Sequence, residues 1–140
     1  MSKILGIDYG GKRIGVAVAD TQTRIAMPLT VVAGRNDVTR DARNVADLGE
    51  RECAEGFVVG LPLNMSDEGA SDSEQTTLTR RFAAELERLS NKPVHLQDER
   101  LTSHAAQEVL QEAAVSPKKR KGLTDMIAAQ KILQAWLDRT

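Results

Sequence analysis

Three short, apolar, β-branched runs separated only by turn-forming residues fill the first 33 residues, and no other feature constrains the fold as strongly. The runs are Ile4–Ile7, Ile14–Ala19 and Ala26–Val32. Such runs are too short for helices, and short Gly- or Asp-containing separators are typical of connections between neighbouring strands. The sequence therefore predicts a three-stranded antiparallel meander, in which Pro28 favours an edge strand or a bulge.

After Gly34 the pattern changes to alternating helices and strands. Apolar residues recur at helical spacing in Val38–Cys53 and Leu78–Leu89. Phe57–Gly60 has the continuous apolar character of a strand buried on both faces, and Pro93–Gln97 is a further short strand. Two more helices are predicted over 102–113 and 123–138, interrupted by 116–122. We expect one α/β domain over residues 1–140, with a mixed five-stranded sheet (the antiparallel meander plus two parallel strands) and helices on both faces.

Composition excludes several function classes. Nineteen Lys and Arg against twenty Asp and Glu give a net charge of −1, so the whole chain does not attract polyanions and local clusters must do so. With 3% aromatic residues, a platform of stacked aromatics for single-stranded nucleic acid is not expected. The single Cys53 leaves no disulfide framework, and no apolar run approaches a membrane span, so we expect a cytoplasmic protein without a membrane partner.

Acidic residues follow two of the predicted strands. Asp8 ends the first strand, and Asp98 and Glu99 follow the last one, at what should be the same edge of the sheet. Adjacent strand residues face opposite sides, so only one of the latter two should point at Asp8. A turn-initiating Asp8 and acids that favour the dipole of a following helix are the simple structural alternatives.

Asp125 is expected in the first turn of the last helix, where a carboxylate can merely complement the helix dipole. Its helical phase matches Ala128, Ala129, Ile132 and Trp136, which places it on the buried stripe. Three carboxylates that converge on one sheet edge would bind a hard divalent cation such as Mg2+ or Mn2+. Convergence at this edge is the hypothesis.

Basic residues lie next to these acids in the sequence. Lys118, Lys119, Arg120 and Lys121 form the one dense cationic run, and Lys12 and Arg13 lie close to Asp8. Such runs are usually solvated loops, but beside a metal site they would neutralise backbone phosphates. A P-loop, a zinc motif and a nucleophile elbow are absent from the sequence, which leaves nucleophilic side-chain catalysis without support.

Four segments in order resemble the YqgF/RuvX family, a group of nucleases with an RNase H-like fold. The segments are Gly6-Ile7-Asp8-Tyr9-Gly10 with Arg13–Ala17, Gly60–Met65, Asp98–Thr102, and Lys121-Gly122 with Asp125, Ala128, Ala129, Ile132 and Leu133. The resemblance implies a single RNase H-like nuclease domain that hydrolyses phosphodiester bonds with Mg2+ or Mn2+. The implied substrate is the 5′ end of pre-16S rRNA, and branched DNA at Holliday junctions is the alternative.

The resemblance also implies roles for individual residues. Asp8, Glu99 and Asp125 correspond to the catalytic, metal-binding acids, with Asp98 ranked second to Glu99. Residues that would orient the substrate or the carboxylates are Arg13, Asn64, Arg100 and Thr102. A non-catalytic nucleic-acid-binding module with the same fold stays open as a different class, and both a monomer and a homodimer are compatible with the sequence. An actin-like ATPase is disfavoured, because that fold needs two such domains.

Overall fold

The described strands form one five-stranded sheet of mixed direction. The computed structural model describes residues 2–62, 73–99 and 117–140, apart from the side chains of 117–120. The strands are β1 (Lys3–Tyr9), β2 (Arg13–Asp20), β3 (Ala26–Ala33), β4 (Ala54–Leu61) and β5 (Val94–Asp98), in the spatial order β3-β2-β1-β4-β5. β1 pairs antiparallel with β2 and parallel with β4, and β5 runs parallel to β4. The predicted meander and parallel pair are confirmed.

The β3 edge also behaves as the sequence predicts. β3 is an outer strand, and its register against β2 shifts where Ala17 meets Pro28 while Val16 meets Thr30. A proline cannot donate to the ladder, so an irregular position on an outer strand accommodates it.

Helices α1 (Val38–Glu52) and α2 (Glu74–Ser90) cover one face of the sheet. Asp37 begins α1 by accepting a hydrogen bond from the backbone of Arg40, and Ser73 begins α2 by accepting one from Thr76. The core below them contains Leu5, Ile7, Ile14, Val16, Val45, Phe57, Val59, Phe82 and Leu86, all fully buried. Burial of these large side chains, about 2 kcal/mol each before entropy is counted, holds the two helices to the sheet.

Helix α3 (Pro117–Arg139) covers the opposite face and packs Ala129, Ile132 and Leu133 against β1, β2 and β4. The prediction of a helix over 123–138 preceded by an interrupting loop is wrong, because 117–122 are already helical. Proline is tolerated in a first helical turn, and Lys and Arg are good helix formers, so the cationic run extends the helix. The helix predicted over 102–113 lies outside the described residues.

The paired cores confirm helices on both faces of the sheet. Among the helices in the described ranges, none combines the length and the apolar character that crossing a bilayer requires.

Candidate functional site

Two predicted acids meet at the edge of the sheet where the parallel strands end. Asp8 lies near the end of β1, and its partner in the β1–β2 register is Gly15. Side chains alternate along a strand, so Asp8 shares with Ile4 the face covered by α3, whereas Tyr9 faces α1 and α2. Glu99 directly follows β5 and is in hydrogen-bond contact with Asp8.

The contact spans β4, which lies between β1 and β5 in the sheet. Gly60 of β4 makes room for it: a Cβ at this position would lie 2.8 Å from Cγ of Glu99 and 2.4 Å from Cδ1 of Ile132. Real Cβ atoms do not approach other atoms this closely, so any side chain at residue 60 would displace Glu99 or α3. The missing side chain lets Glu99 reach Asp8.

Burial and mutual repulsion make the two carboxyl groups hold a proton. Burial above all, and then the charge of Asp8, the hydrogen bond to Asp8 and the charge of Asp98, together raise the pKa of Glu99 from 4.5 to about 8. Burial also raises the pKa of Asp8, the hydrogen bond from Glu99 lowers it, and the charge of Asp125 raises it. At neutral pH, Glu99 is therefore the hydrogen-bond donor and Asp8 the acceptor.

Asp125 approaches the pair from α3. The expectation that it lies in the first helical turn is wrong, because α3 already includes Pro117. Its backbone passes so close to β2 that a Cβ on Gly15 would lie 2.0 Å from its carbonyl oxygen. Its Oδ2 accepts a hydrogen bond from Nε of Arg13 at 2.6 Å, in an ion pair whose side chains are 20% and 44% exposed respectively.

The three acids are near one another, but they are not arranged as a ready ligand set. Within residues 2–62, 73–99 and 117–140, no group of three or more His, Cys, Asp or Glu side chains is placed to hold one metal ion. The structure brings Glu99 to Asp8, and it leaves Asp125 within electrostatic range of Asp8 but bound to Arg13. A pair of half-buried, oxygen-only ligands that share a proton fits a hard divalent cation, which would replace that proton.

The predicted substrate-binding residues divide into described and undescribed ones. Lys12, Arg13 and Lys121 are exposed. Lys12 and Arg13 belong to the β1–β2 connection and the start of β2, and Lys121 lies on α3 four residues before Asp125. The residues Asn64, Arg100 and Thr102, and the side chains of Lys118, Lys119 and Arg120, lie outside the part of the chain that the structure describes.

Sequence reasoning missed two residues on the α3 side of the site. Gly60 appeared as the end of an apolar run and as the start of a segment that resembles the family, without a structural role of its own, although a glycine inside a strand pattern is a signal of close approach. Gln97, two residues before Glu99, is 2% exposed, and its Oε1 accepts no hydrogen bond from the described part of the chain. A polar residue in a short strand next to a candidate acid was the available signal.

Comparison with known proteins identifies the family. The family model described as "RuvX: Holliday junction resolvase" matches residues 2–139. A protein of Maridesulfovibrio salexigens named "Putative pre-16S rRNA nuclease" is 42% identical over 139 residues, covering 98% of each chain. A Chloroflexus aggregans protein of the same name is 43% identical over 138 residues, covering 96% of this chain and 92% of its own.

The fold has a solved counterpart. T. thermophilus RuvC, in a complex with a Holliday junction substrate, superposes with a TM-score of 0.63 at 17% identity over 99% of this chain and 95% of its own. This likeness supports the RNase H-like arrangement of sheet and helices. With a family model and relatives above 40% identity that span nearly its whole length, this chain belongs to the RuvX family.

Proposed function

We propose that this chain is a nuclease that hydrolyses phosphodiester bonds with Mg2+ or Mn2+ and acts on the 5′ end of pre-16S rRNA. The observation that carries the proposal is the half-buried, hydrogen-bonded pair of Asp8 and Glu99 at the sheet edge, with Asp125 adjacent. Two acids that burial and repulsion keep partly protonated are costly to a fold, and such pairs are typical of functional sites. The name shared by the relatives above 40% identity supports the RNA substrate.

The donor set suits a hard cation. Asp8 and Glu99 would hold the ion, and Asp125 would supply a third carboxylate if it were released from its ion pair with Arg13. A bound divalent cation supplies charge neutralisation at the phosphodiester and raises the acidity of the attacking water.

The remaining roles belong to basic and polar side chains. Arg13 lies beside the acids and offers a planar, two-pronged donor to a phosphate. Lys12 and Lys121 are exposed on the two elements that flank the site, so they would neutralise neighbouring phosphates of the strand. We assign the same substrate-binding role to Asn64, Arg100, Thr102, Lys118, Lys119 and Arg120 on the family resemblance.

Resolution of Holliday junctions is the second candidate, because the matching family model carries that description. Symmetric cutting of a four-way junction needs a two-fold homodimer, whereas trimming one RNA end needs only a monomer. Action on rRNA precursors would place the protein in the cytoplasm.

The test compares two labelled substrates, an RNA that carries the 16S 5′ leader and a four-way DNA junction. Each is incubated with Mg2+, Mn2+ or EDTA. The enzymes are the wild type, Asp8→Asn, and Asp47→Asn as a matched control, since Asp47 is an exposed carboxylate on α1. We expect metal-dependent cleavage of the RNA, a loss on the order of 100-fold in Asp8→Asn, and unchanged cleavage in Asp47→Asn.

Other outcomes separate the alternatives. Preferential cutting of the junction would replace the RNA substrate with branched DNA. Salt-sensitive binding without cleavage under any metal condition would indicate a nucleic-acid-binding module. Cleavage that persists undiminished in Asp8→Asn or in EDTA would refute the carboxylate site.

A further inference from the structure

A small cavity opens on the other side of the sheet edge from the three acids. Its volume is about 140 Å³, and it is lined by Tyr9, Gly11, Asn36, Val38, Gln75 and Leu78. The β1–β2 connection contributes Gly11, and the first turns of α1 and α2 contribute Val38 and Gln75. The space is too small for a typical cofactor, but a single flat ring would fill it.

The aromatic side of this cavity is rigid. The ring of Tyr9 stacks on Phe82 with centroids 4.2 Å apart and planes 14° apart. Its hydroxyl donates a hydrogen bond to Oδ2 of buried Asp41 at 3.3 Å, and Oδ1 of Asp41 accepts one from the backbone of Arg35 at 2.9 Å. Burial raises the pKa of Tyr9 to about 12, with the charge of Asp41 contributing, so the hydroxyl stays a donor. The ring is thus fixed before any ligand arrives.

Two amide side chains border the same space. Nε2 of Gln75 donates to the backbone oxygen of Tyr9 at 3.2 Å, which holds this side chain across the end of β1. Asn36 has a left-handed backbone with φ of 55°, and its Oδ1 lies against Gly11, where a Cβ would approach it to 2.6 Å. A cavity with apolar walls and amide groups at its rim can pack a ring and hydrogen-bond its edge.

The charges around the cavity argue against an anion as its occupant. Both helix N-termini beside it are capped by their own chain, α1 by Asp37 and α2 by Ser73. Glu74 adds a negative charge in the first turn of α2, and two acids, Asp37 and Asp41, act electrostatically on Tyr9 against one cation, Arg81. A phosphate would meet these acids, whereas an uncharged ring with polar edges would not be repelled.

We propose that this cavity receives one unpaired base of the RNA strand whose neighbouring phosphate lies at Asp8. Asp8 and Tyr9 are consecutive residues of β1 that point to opposite faces, so one strand of RNA crossing the sheet edge would meet both. The inference rests on the proposed function and adds to it a contact that holds the strand in place. It concerns a single base, in keeping with the low aromatic content of the chain.

The test is a binding scan with abasic RNA. Fluorescence anisotropy measures the affinity of Asp8→Asn protein, which we expect to bind without cleaving, for the leader RNA with one base removed at each position in turn. We expect removal at one position next to the cleavage site to weaken binding about tenfold, and removal elsewhere to have little effect.

Two variants in the same Asp8→Asn background link that position to the cavity. Leu78→Phe fills the space, and Asn36→Gly removes the amide while it keeps the left-handed backbone. Both variants should weaken the binding of intact RNA about tenfold. In both, removal of the base at the sensitive position should then cause no further loss of affinity. Asn91→Gly is the matched control, because Asn91 has the same backbone conformation, with φ of 58°, at the far end of α2.

A profile that is flat along the RNA, or one that Leu78→Phe and Asn36→Gly leave unchanged, would overturn the cavity assignment. The proposed nuclease function is tested separately by cleavage. RNA that is cut normally but shows no base-sensitive position would refute the cavity alone, and a base-sensitive position in a protein that does not cleave would refute the nuclease alone.

Discussion

Replacing Glu99 by glutamine should remove most of the pH dependence of stability between pH 5 and pH 9 when divalent cations are absent. The pKa of Glu99, raised first by burial and then by the charge of Asp8, is about 8 in the folded protein against an ordinary 4.5. Over that interval the folded chain binds a proton that the unfolded chain has released. The stability that this group contributes is therefore complete below pH 4.5 and is lost as the pH rises through about 8.

The size of the effect follows from the two pKa values. At about 1.4 kcal/mol for each pKa unit, ionisation of Glu99 costs the folded state at most about 4 kcal/mol between pH 5 and pH 9. Water that reaches the open sheet edge reduces the expected loss to about 2 kcal/mol. Glutamine keeps the shape of the side chain without ionising. The free energy of unfolding of Glu99→Gln, measured relative to the wild type, should therefore be about 2 kcal/mol higher at pH 9 than at pH 5.

Urea unfolding in EDTA at pH 5, 7 and 9, followed by the fluorescence of Trp136, measures this difference. Glu55→Gln is the control, because Glu55 is an exposed acid on β4 and its replacement should leave the pH profile of the wild type intact. Parallel profiles for the wild type and Glu99→Gln would show that Glu99 is not the proton-binding group, and the proposed acid pair would lose its electrostatic basis.

Two pairs of substitutions test the packing around the site. Gly60→Ala should lower the free energy of unfolding by about 2 kcal/mol, because the added Cβ would lie 2.8 Å from Cγ of Glu99. Gly122→Ala should raise that free energy by up to about 1 kcal/mol, because its added Cβ would lie 3.8 Å from its nearest neighbour in a helix that alanine favours. Equal effects of the two substitutions in thermal unfolding would contradict the close approach at Gly60. Gln97→Leu should raise that free energy by about 1 kcal/mol, since its buried Oε1 accepts no hydrogen bond from the described residues. Gln134→Leu should lower the free energy of unfolding by about 1 kcal/mol, because it breaks two hydrogen bonds to the backbone near the start of β3. Urea titrations in which Gln97→Leu and Gln134→Leu change this free energy in the same direction would contradict the expected difference between the two glutamines.

Local patterns predict most of the sheet and its helices. Short apolar runs between turn residues define β1, β2 and β3, and apolar residues at helical spacing define α1 and α2. The predicted start of α3 at residue 123 was wrong, because a cationic run has no apolar periodicity although Lys and Arg are intrinsically good helix formers.

The site was predictable in its positions but not in its contacts. Strand ends and helical phase bring Asp8, Glu99 and Asp125 toward one edge, because those rules depend only on spacing. The ion pair between Arg13 and Asp125 depends on how closely α3 approaches β2, a packing distance that spacing does not contain. The space above Gly60 likewise becomes visible only when β5 lies next to β4.

The alternation of β1 connects the two proposals. Asp8 faces α3, where Gly60 and the course of β5 bring Glu99 to it, and Tyr9 faces the cavity beside α1 and α2. The antiparallel register that opposes Asp8 to Gly15 fixes both directions at once, since a slip by one residue would exchange the two faces. The same strand register therefore positions both sites. A nucleic acid strand bound at one of them would pass close to the other, because Asp8 and Tyr9 are consecutive residues of β1.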